Sequence, residues 1–222
     1  MTTKTIVKVL RLLEDEIEQK QYLKPMVAQL IHKYGRDPFL ILISCLLSLR
    51  SRDVVTQPVT EELFRHISTP EELCAMPLAD IEQIIRSIGF RKRKAETIRH
   101  VSCELINRFH SKVPHSYDQL ISLKGVGPKT ANLVLAEAWN TPAICVDTHV
   151  HRLSNHFGFV STKTPEETQI ALETKVPQEW WVKMNELLVG WGQNVCSPHK
   201  KHSPCKCQKF LRQHGLAVSD DK

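Results

Sequence analysis

Gly125-Val126-Gly127-Pro128 constrains this chain more than any other stretch. Leu120, Ile121 and Leu123 mark the apolar side of a helix before it, and Leu133, Val134 and Leu135 mark another after it. Proline suits the first turn of a helix, where no backbone N–H is needed. The segment therefore predicts two helices joined by a Gly-x-Gly hairpin, with Pro128 opening the second. Glycines carry no Cβ, so a ligand can come close to such a backbone. The second helix adds its positive N-terminal end, which makes the corner a site for phosphate. Phosphate contacts of this kind position DNA without reading its sequence. A tight helix–helix turn that binds nothing has the same pattern, so the weight falls on what surrounds it.

The remainder also reads as helix. Ile6, Val9, Leu10, Leu13 and Ile17 form one stripe. Pro25 and Gly35 bracket a second helix. The run from Phe39 to Leu47 has no polar face, and without turn residues or a partner strand it is expected to be a buried core helix. Thr69-Pro-Glu-Glu72 and Thr164-Pro-Glu-Glu167 each supply a capping Thr, a Pro in the first turn and a Glu at the third position. Gly89 is expected to close a helix bearing Ile81, Ile84, Ile85 and Ile88.

The chain has 222 residues, enough for one large domain or for two small lobes around a real core. Its formal charge of +6 suits a polyanionic partner and equally suits a soluble protein held off its isoelectric point. No stretch is long and apolar enough to span a bilayer. Lys8, Arg11 and Glu14 interrupt the apolar positions of the N-terminus, so this stretch is not expected to be a secretion signal. A cytoplasmic protein, not a membrane protein, is expected. Cys45, Cys74, Cys103 and Cys145 lie scattered in apolar or helical stretches and read as buried thiols of a reducing compartment. Cys196, Cys205 and Cys207 cluster near the end.

Downstream of the hairpin, Pro128 is followed by Lys129, and Asp147 comes 18 residues later in Ile144-Cys-Val-Asp-Thr-His-Val-His-Arg152. That interval allows one helix, a turn and a return. Asp147 stands where a helix should begin, so an N-cap is its simplest role. A lysine amine and a carboxylate are also a known pairing for covalent chemistry on a carbonyl-like carbon.

With the hairpin, its Lys and the Val-Asp-Thr-His segment in this order, the sequence resembles the endonuclease III family of DNA glycosylases and AP lyases, in the helix-hairpin-helix (HhH-GPD) superfamily. The resemblance runs from about Pro38 to Cys196. It implies an all-α fold: two helical lobes with a DNA-binding cleft between them, carrying the helix-hairpin-helix motif. Residues 38–140 are expected to form a six-helix lobe ending in the hairpin at about 123–131. Residues 1–37 and 141–216 are expected to form the second lobe, and residues 217–222 a loose tail. The implied partner is double-stranded DNA with damaged bases or abasic sites, met by a monomer resident with the nucleoid.

The resemblance makes Lys129 the catalytic nucleophile and Asp147 the essential acidic residue, with Gly125, Val126 and Gly127 on the DNA backbone. Arg50 stands where bacterial members often have Gln, and either contacts the orphaned base or rests on phosphate. Asp53 matches a family Asp and reads as structural. Phe90 takes the position of an apolar wedge, an ordinary core role being the alternative. Arg91, Lys92, Arg93 and Lys94 are expected on the DNA backbone.

Family members usually close with C-x6-C-x2-C-x5-C around a [4Fe–4S] cluster. Here the spacing is C-x8-C-x-C, and the fourth cysteine is missing. Iron–sulfur clusters normally take four thiolates. A metal-free remnant, a cluster with three thiolates, or zinc held by Cys196, Cys205, Cys207 and one of His199 or His202 all stay open, the first being favoured. Lys200, Lys201 and Lys206 would still be available to phosphate. The expected function is base-excision repair by a bifunctional glycosylase and lyase acting on oxidised pyrimidines. An 8-oxoguanine glycosylase of the same superfamily and a non-catalytic DNA-binding scaffold are the alternatives.

Overall fold

The computed structural model describes residues 1–197 and 205–216. Among them all regular structure is helical. The chain separates into two units, one comprising residues 26–141 and the other residues 1–25 with 142–222.

The 26–141 unit, inner in the order of the sequence, is arranged around α3 (Pro38–Ser48), which begins at Asp37, whose carboxylate accepts the Leu40 N–H at 2.9 Å. Its neighbours are α2 (Met26–Tyr34), α4 (Asp53–Leu63), α7 (Arg91–Phe109) and α9 (Pro128–Trp139). With partners on so many sides, a helix needs no polar face. Every residue from Phe39 to Leu47 except Leu40 is buried, so the core-helix expectation holds. The one hydroxyl in that run, Ser44, donates to the Ile41 carbonyl at 2.8 Å. Asp53 is structural, as expected, because its Oδ2 accepts the Met26 N–H at the start of α2 over 3.0 Å.

Three short helices complete the unit: α5 (Pro70–Ala75), α6 (Leu78–Ile84) and α8 (Tyr117–Ile121). Thr69 and Glu72 form the full reciprocal capping box at α5. Gly89 does not close α6. The helix ends at Ile85, and tight turns then carry Ile85 and Ile88 into the core. Cys74 of α5 and Cys103 of α7 are not the separate buried thiols that the sequence suggests. They form a disulfide with a Cα–Cα distance of 5.1 Å, because α5 packs along α7 and brings together residues 29 apart in sequence.

The outer unit packs α1 (Thr3–Gln19) and α10 (Thr148–His156) on α12 (Trp181–Asn194), with α11 (Pro165–Lys175) and α13 (Lys206–Gln213) against α10. Ile6, Val9, Leu10 and Leu13 supply the α1 side of its core. Phe157, Trp191 and Phe210 meet there edge to face or tilted, with centroids 4.9 to 6.2 Å apart.

Candidate active site

The hairpin forms as its sequence predicts. α8 ends at Ser122, Leu123 and Val126 are buried, and Gly127 leads into α9 with Pro128 in the first turn. Gly125 has φ +98°, and a Cβ there would lie 2.5 Å from the Thr97 methyl of α7. Both facts require glycine. Gly127 is different: its φ is −98° and a Cβ would meet nothing within 4 Å. No intramolecular contact demands glycine at 127, and the space beside it is open to a ligand.

Side chains of α7 fix the hairpin from behind. Glu104 accepts the Lys124 N–H at 3.1 Å, and Arg108 donates to Glu104 and to the Ser122 hydroxyl. Val126 directs its own N–H to the Leu123 carbonyl at 3.0 Å. Among the described residues, the N–H groups of Gly125 and Gly127 have no such internal acceptor.

Lys129 follows in the first turn of α9, with an exposed side chain. Its charge reaches the thiol of Cys45 on α3. Burial pushes that thiol up to about 12, the Glu137 carboxylate adds to the rise, and Lys129 opposes it. Asp147 belongs to the outer unit and is the N-cap of α10. Its Oδ1 accepts the Val150 N–H at 2.8 Å, which leaves the second oxygen outside the cap. The extended approach to Asp147 is buried at Ile144, Cys145 and Val146, and Asn185 of α12 donates to the Cys145 carbonyl at 2.9 Å.

Within the inner unit, Arg50, Phe90, Lys92, Arg93 and Gly125 line one groove of about 1120 Å³. Arg50 and Phe90 both have left-handed backbones, with φ of 54° and 58°, and both are exposed. Phe90 is 64% exposed, which removes the reading of it as a core residue. Residues with this backbone are uncommon unless something fixes them, and they concentrate at functional loops. Arg91, Lys92 and Arg93 are exposed at the N-terminal end of α7, whose first turn has no acidic residue. Three cations at the positive end of a helix oppose its dipole, an arrangement that an external anion relieves. Lys94 departs from expectation. Its side chain is buried and donates to the Leu47 carbonyl at 2.7 Å, so it cannot grip DNA as its neighbours can.

The terminal cysteines converge. Cys196, Cys205 and Cys207 are joined by His156, and the four ligand atoms all lie within 4.8 Å of one another. Cys207 hydrogen-bonds the other two thiols and is itself pushed upward. Those bonds, with His156 and Arg152, hold Cys196 down to about 3, while Cys205 falls to about 6 with the help of backbone N–H groups. His199 and His202, one of which is the fourth ligand in the zinc alternative, lie outside the described residues, as do Lys200, Lys201 and the tail at 217–222. His156 carried no sequence signal, being 40 residues from the first cysteine.

Residues 43–178 match the family described as HhH-GPD superfamily base excision DNA repair protein. The chain is 41% identical to Endonuclease III of Thermotoga maritima over 178 residues, covering 80% of this chain and 82% of that one. Longer relatives from plants and vertebrates also match, and the chain spans less than two thirds of their length. A solved structure described as a non-covalent Endonuclease III–DNA complex superposes with a TM-score of 0.81 at 31% identity, covering 97% of each chain. Another, described as a trapped Endonuclease III–DNA covalent intermediate, gives 0.79 at 31% identity and 95% of each chain. Among the described residues, no helix is long and apolar enough to cross a membrane.

Proposed function

The chain belongs to the HhH-GPD superfamily of base excision DNA repair proteins, and we propose that it acts as a DNA N-glycosylase with AP lyase activity, on oxidised pyrimidines in double-stranded DNA. The observation that carries this reading is the exposed residue Lys129 in the first turn of α9, two residues past a Gly127 that opens onto empty space.

A damaged base must leave the stack before chemistry can reach it, at a cost of a few kcal/mol that is smallest for a poorly stacked lesion. The hairpin N–H groups and the start of α9 hold backbone phosphate. Phe90 fills the opened step as an apolar wedge, and Arg50 contacts the orphaned base. Arg91, Lys92 and Arg93 bind neighbouring phosphates.

The side-chain nitrogen of Lys129 attacks the sugar C1′ and gives up a proton as the bond forms. The C1′–N glycosidic bond breaks, and the base departs with the electron pair and takes up a proton. Asp147 stabilises the positive charge that develops on the sugar. Ring opening of the covalent adduct gives a Schiff base, which acidifies the C2′ proton. Loss of that proton breaks the C3′–O bond by β-elimination, and the strand is cut on the 3′ side. Water then hydrolyses the imine and returns the lysine.

Oxidised pyrimidines are preferred over 8-oxoguanine because relatives 31% to 41% identical over most of the chain are endonuclease III proteins, whereas the 8-oxoguanine glycosylase that superposes is 20% identical. A pure scaffold would have no use for a nucleophile beside the hairpin. Borohydride trapping tests the reading. A duplex with one oxidised pyrimidine and a duplex with an abasic site should each give a covalent adduct, lost in Lys129→Ala. An adduct at the abasic site alone would keep the lyase and exclude the proposed lesion. No adduct with either duplex would remove Lys129 as the nucleophile.

A further inference from the structure

Cysteines at the end of an endonuclease III relative suggest an iron–sulfur cluster, and the residues here do not fit one. A four-iron cubane puts each protein ligand on a different iron, so its ligand atoms are held apart by the width of the cluster. Here the three thiols and the imidazole nitrogen of His156 lie within 4.8 Å of one another, and Cys205 Sγ is 3.3 Å from His156 Nδ1. A single tetrahedral ion with bonds of about 2.3 Å to sulfur and about 2.0 Å to nitrogen sets its ligand atoms roughly 3.5 to 3.8 Å apart. The spacing suits one ion. Three thiolates and one imidazole are a known donor set for structural zinc, and soft sulfur ligands disfavour magnesium and calcium.

We propose that His156, Cys196, Cys205 and Cys207 bind a single zinc ion in place of a cluster. His156 stands where no cysteine is available. The surroundings are built for the charge. Three thiolates and a divalent cation leave one net negative charge. Arg152 balances it, donating through Nη1 to Cys196 Sγ at 3.3 Å and through Nη2 to the Cys196 carbonyl at 2.7 Å. Cys205 stands at the N-cap position of α13 and Cys207 lies in its first turn, where the helix dipole favours thiolate.

The ion would be structural. His156 ends α10, Cys196 follows α12, and Cys205 begins α13. One ion therefore ties the ends of three helices. With all four tetrahedral positions taken by protein, no site remains for water or substrate, as in structural rather than catalytic zinc. This inference stands independently of the glycosylase reading, since a zinc-loaded chain that fails borohydride trapping would leave it intact.

The test is elemental analysis of the full-length chain purified without chelator, followed by X-ray absorption at the zinc edge. One zinc per chain with a shell of three sulfurs and one nitrogen is expected, and cobalt substitution should give intense tetrahedral bands with thiolate-to-cobalt charge transfer. His156→Ala should weaken cobalt binding at least about tenfold, whereas His156→Cys should keep it. Four irons with acid-labile sulfide, a metal-free chain that takes up no zinc, or a shell lacking nitrogen would each overturn the proposal. So would a folded His156→Ala chain that binds cobalt unchanged. If that variant does not fold, the wild-type absorption shell decides.

Discussion

The ammonium of Lys94 donates to the carbonyl oxygen of Leu47 across 2.7 Å, joining the first turn of α7 to the end of α3. Arg50 lies three residues beyond Leu47, and Phe90 lies four before Lys94. One buried bond thus steadies the bases of the two exposed loop residues that share the groove. Lys94→Met should leave the Leu47 carbonyl unsatisfied and cost about 1–3 kcal/mol. It should also weaken binding to an abasic duplex although Lys94 itself is buried. Burial lowers the Lys94 pKa. Between the folded value and the higher unfolded one, the unfolded chain binds more protons, so stability rises with pH in that window. Urea unfolding at increasingly alkaline pH should therefore show wild type gaining on Lys94→Met. A constant difference would exclude this coupling.

Gly125 and Gly127 look alike in sequence and should respond differently. Gly125→Ala imposes a positive φ on alanine and an overlap with Thr97, so it should destabilise the fold by about 1–2 kcal/mol or more. Gly127→Ala should unfold like wild type and bind DNA about tenfold more weakly, the equivalent of roughly one charge-assisted hydrogen bond. Thermal unfolding and fluorescence anisotropy separate the two. Wild-type affinity in Gly127→Ala would mean that no phosphate approaches there.

Asp147 combines an N-cap with the proposed stabilisation of the sugar cation. Asparagine caps a helix about as well as aspartate. Asp147→Asn should keep the unfolding midpoint while base release falls by roughly a hundredfold or more in single-turnover assays. Asp147→Ala should lose activity and also about 1 kcal/mol of stability. Substantial base release by Asp147→Asn would assign the residue to capping alone.

Replacing Arg91, Lys92 and Arg93 together by Gln should lower the slope of log affinity against log salt by about 0.9 for each phosphate no longer neutralised. The same change removes cations from the positive end of α7 and should stabilise that helix by about 0.3–1 kcal/mol per residue at low salt. An unchanged salt slope would mean the run is only a solvated face.

The Cys74–Cys103 bond closes a loop of 29 residues in sequence separation. On the chain-entropy account, its removal by a double Ser substitution should cost about 3–4 kcal/mol. Thiol labelling of the unreduced, unfolded chain should modify Cys45 and Cys145 and leave Cys74 and Cys103 unlabelled. Labelling of all seven cysteines would show that the bond is absent.

Local physics was legible in the sequence. The Thr69 capping box, the Pro128 helix start, the Asp147 cap and the apolar run of α3 are each encoded within a few residues, because capping and helical periodicity act over one or two turns. The order of hairpin, lysine and Val-Asp-Thr-His likewise needed no coordinates to suggest a repair glycosylase. Tertiary structure alone decided which distant side chains meet. It brought His156 to three cysteines, paired Cys74 with Cys103, turned Lys94 inward while its neighbours stayed outside, and put Arg50 and Phe90 on one groove. Those encounters depend on how helices pack, and packing is set by interactions summed over whole helix faces. No short window of sequence contains that sum.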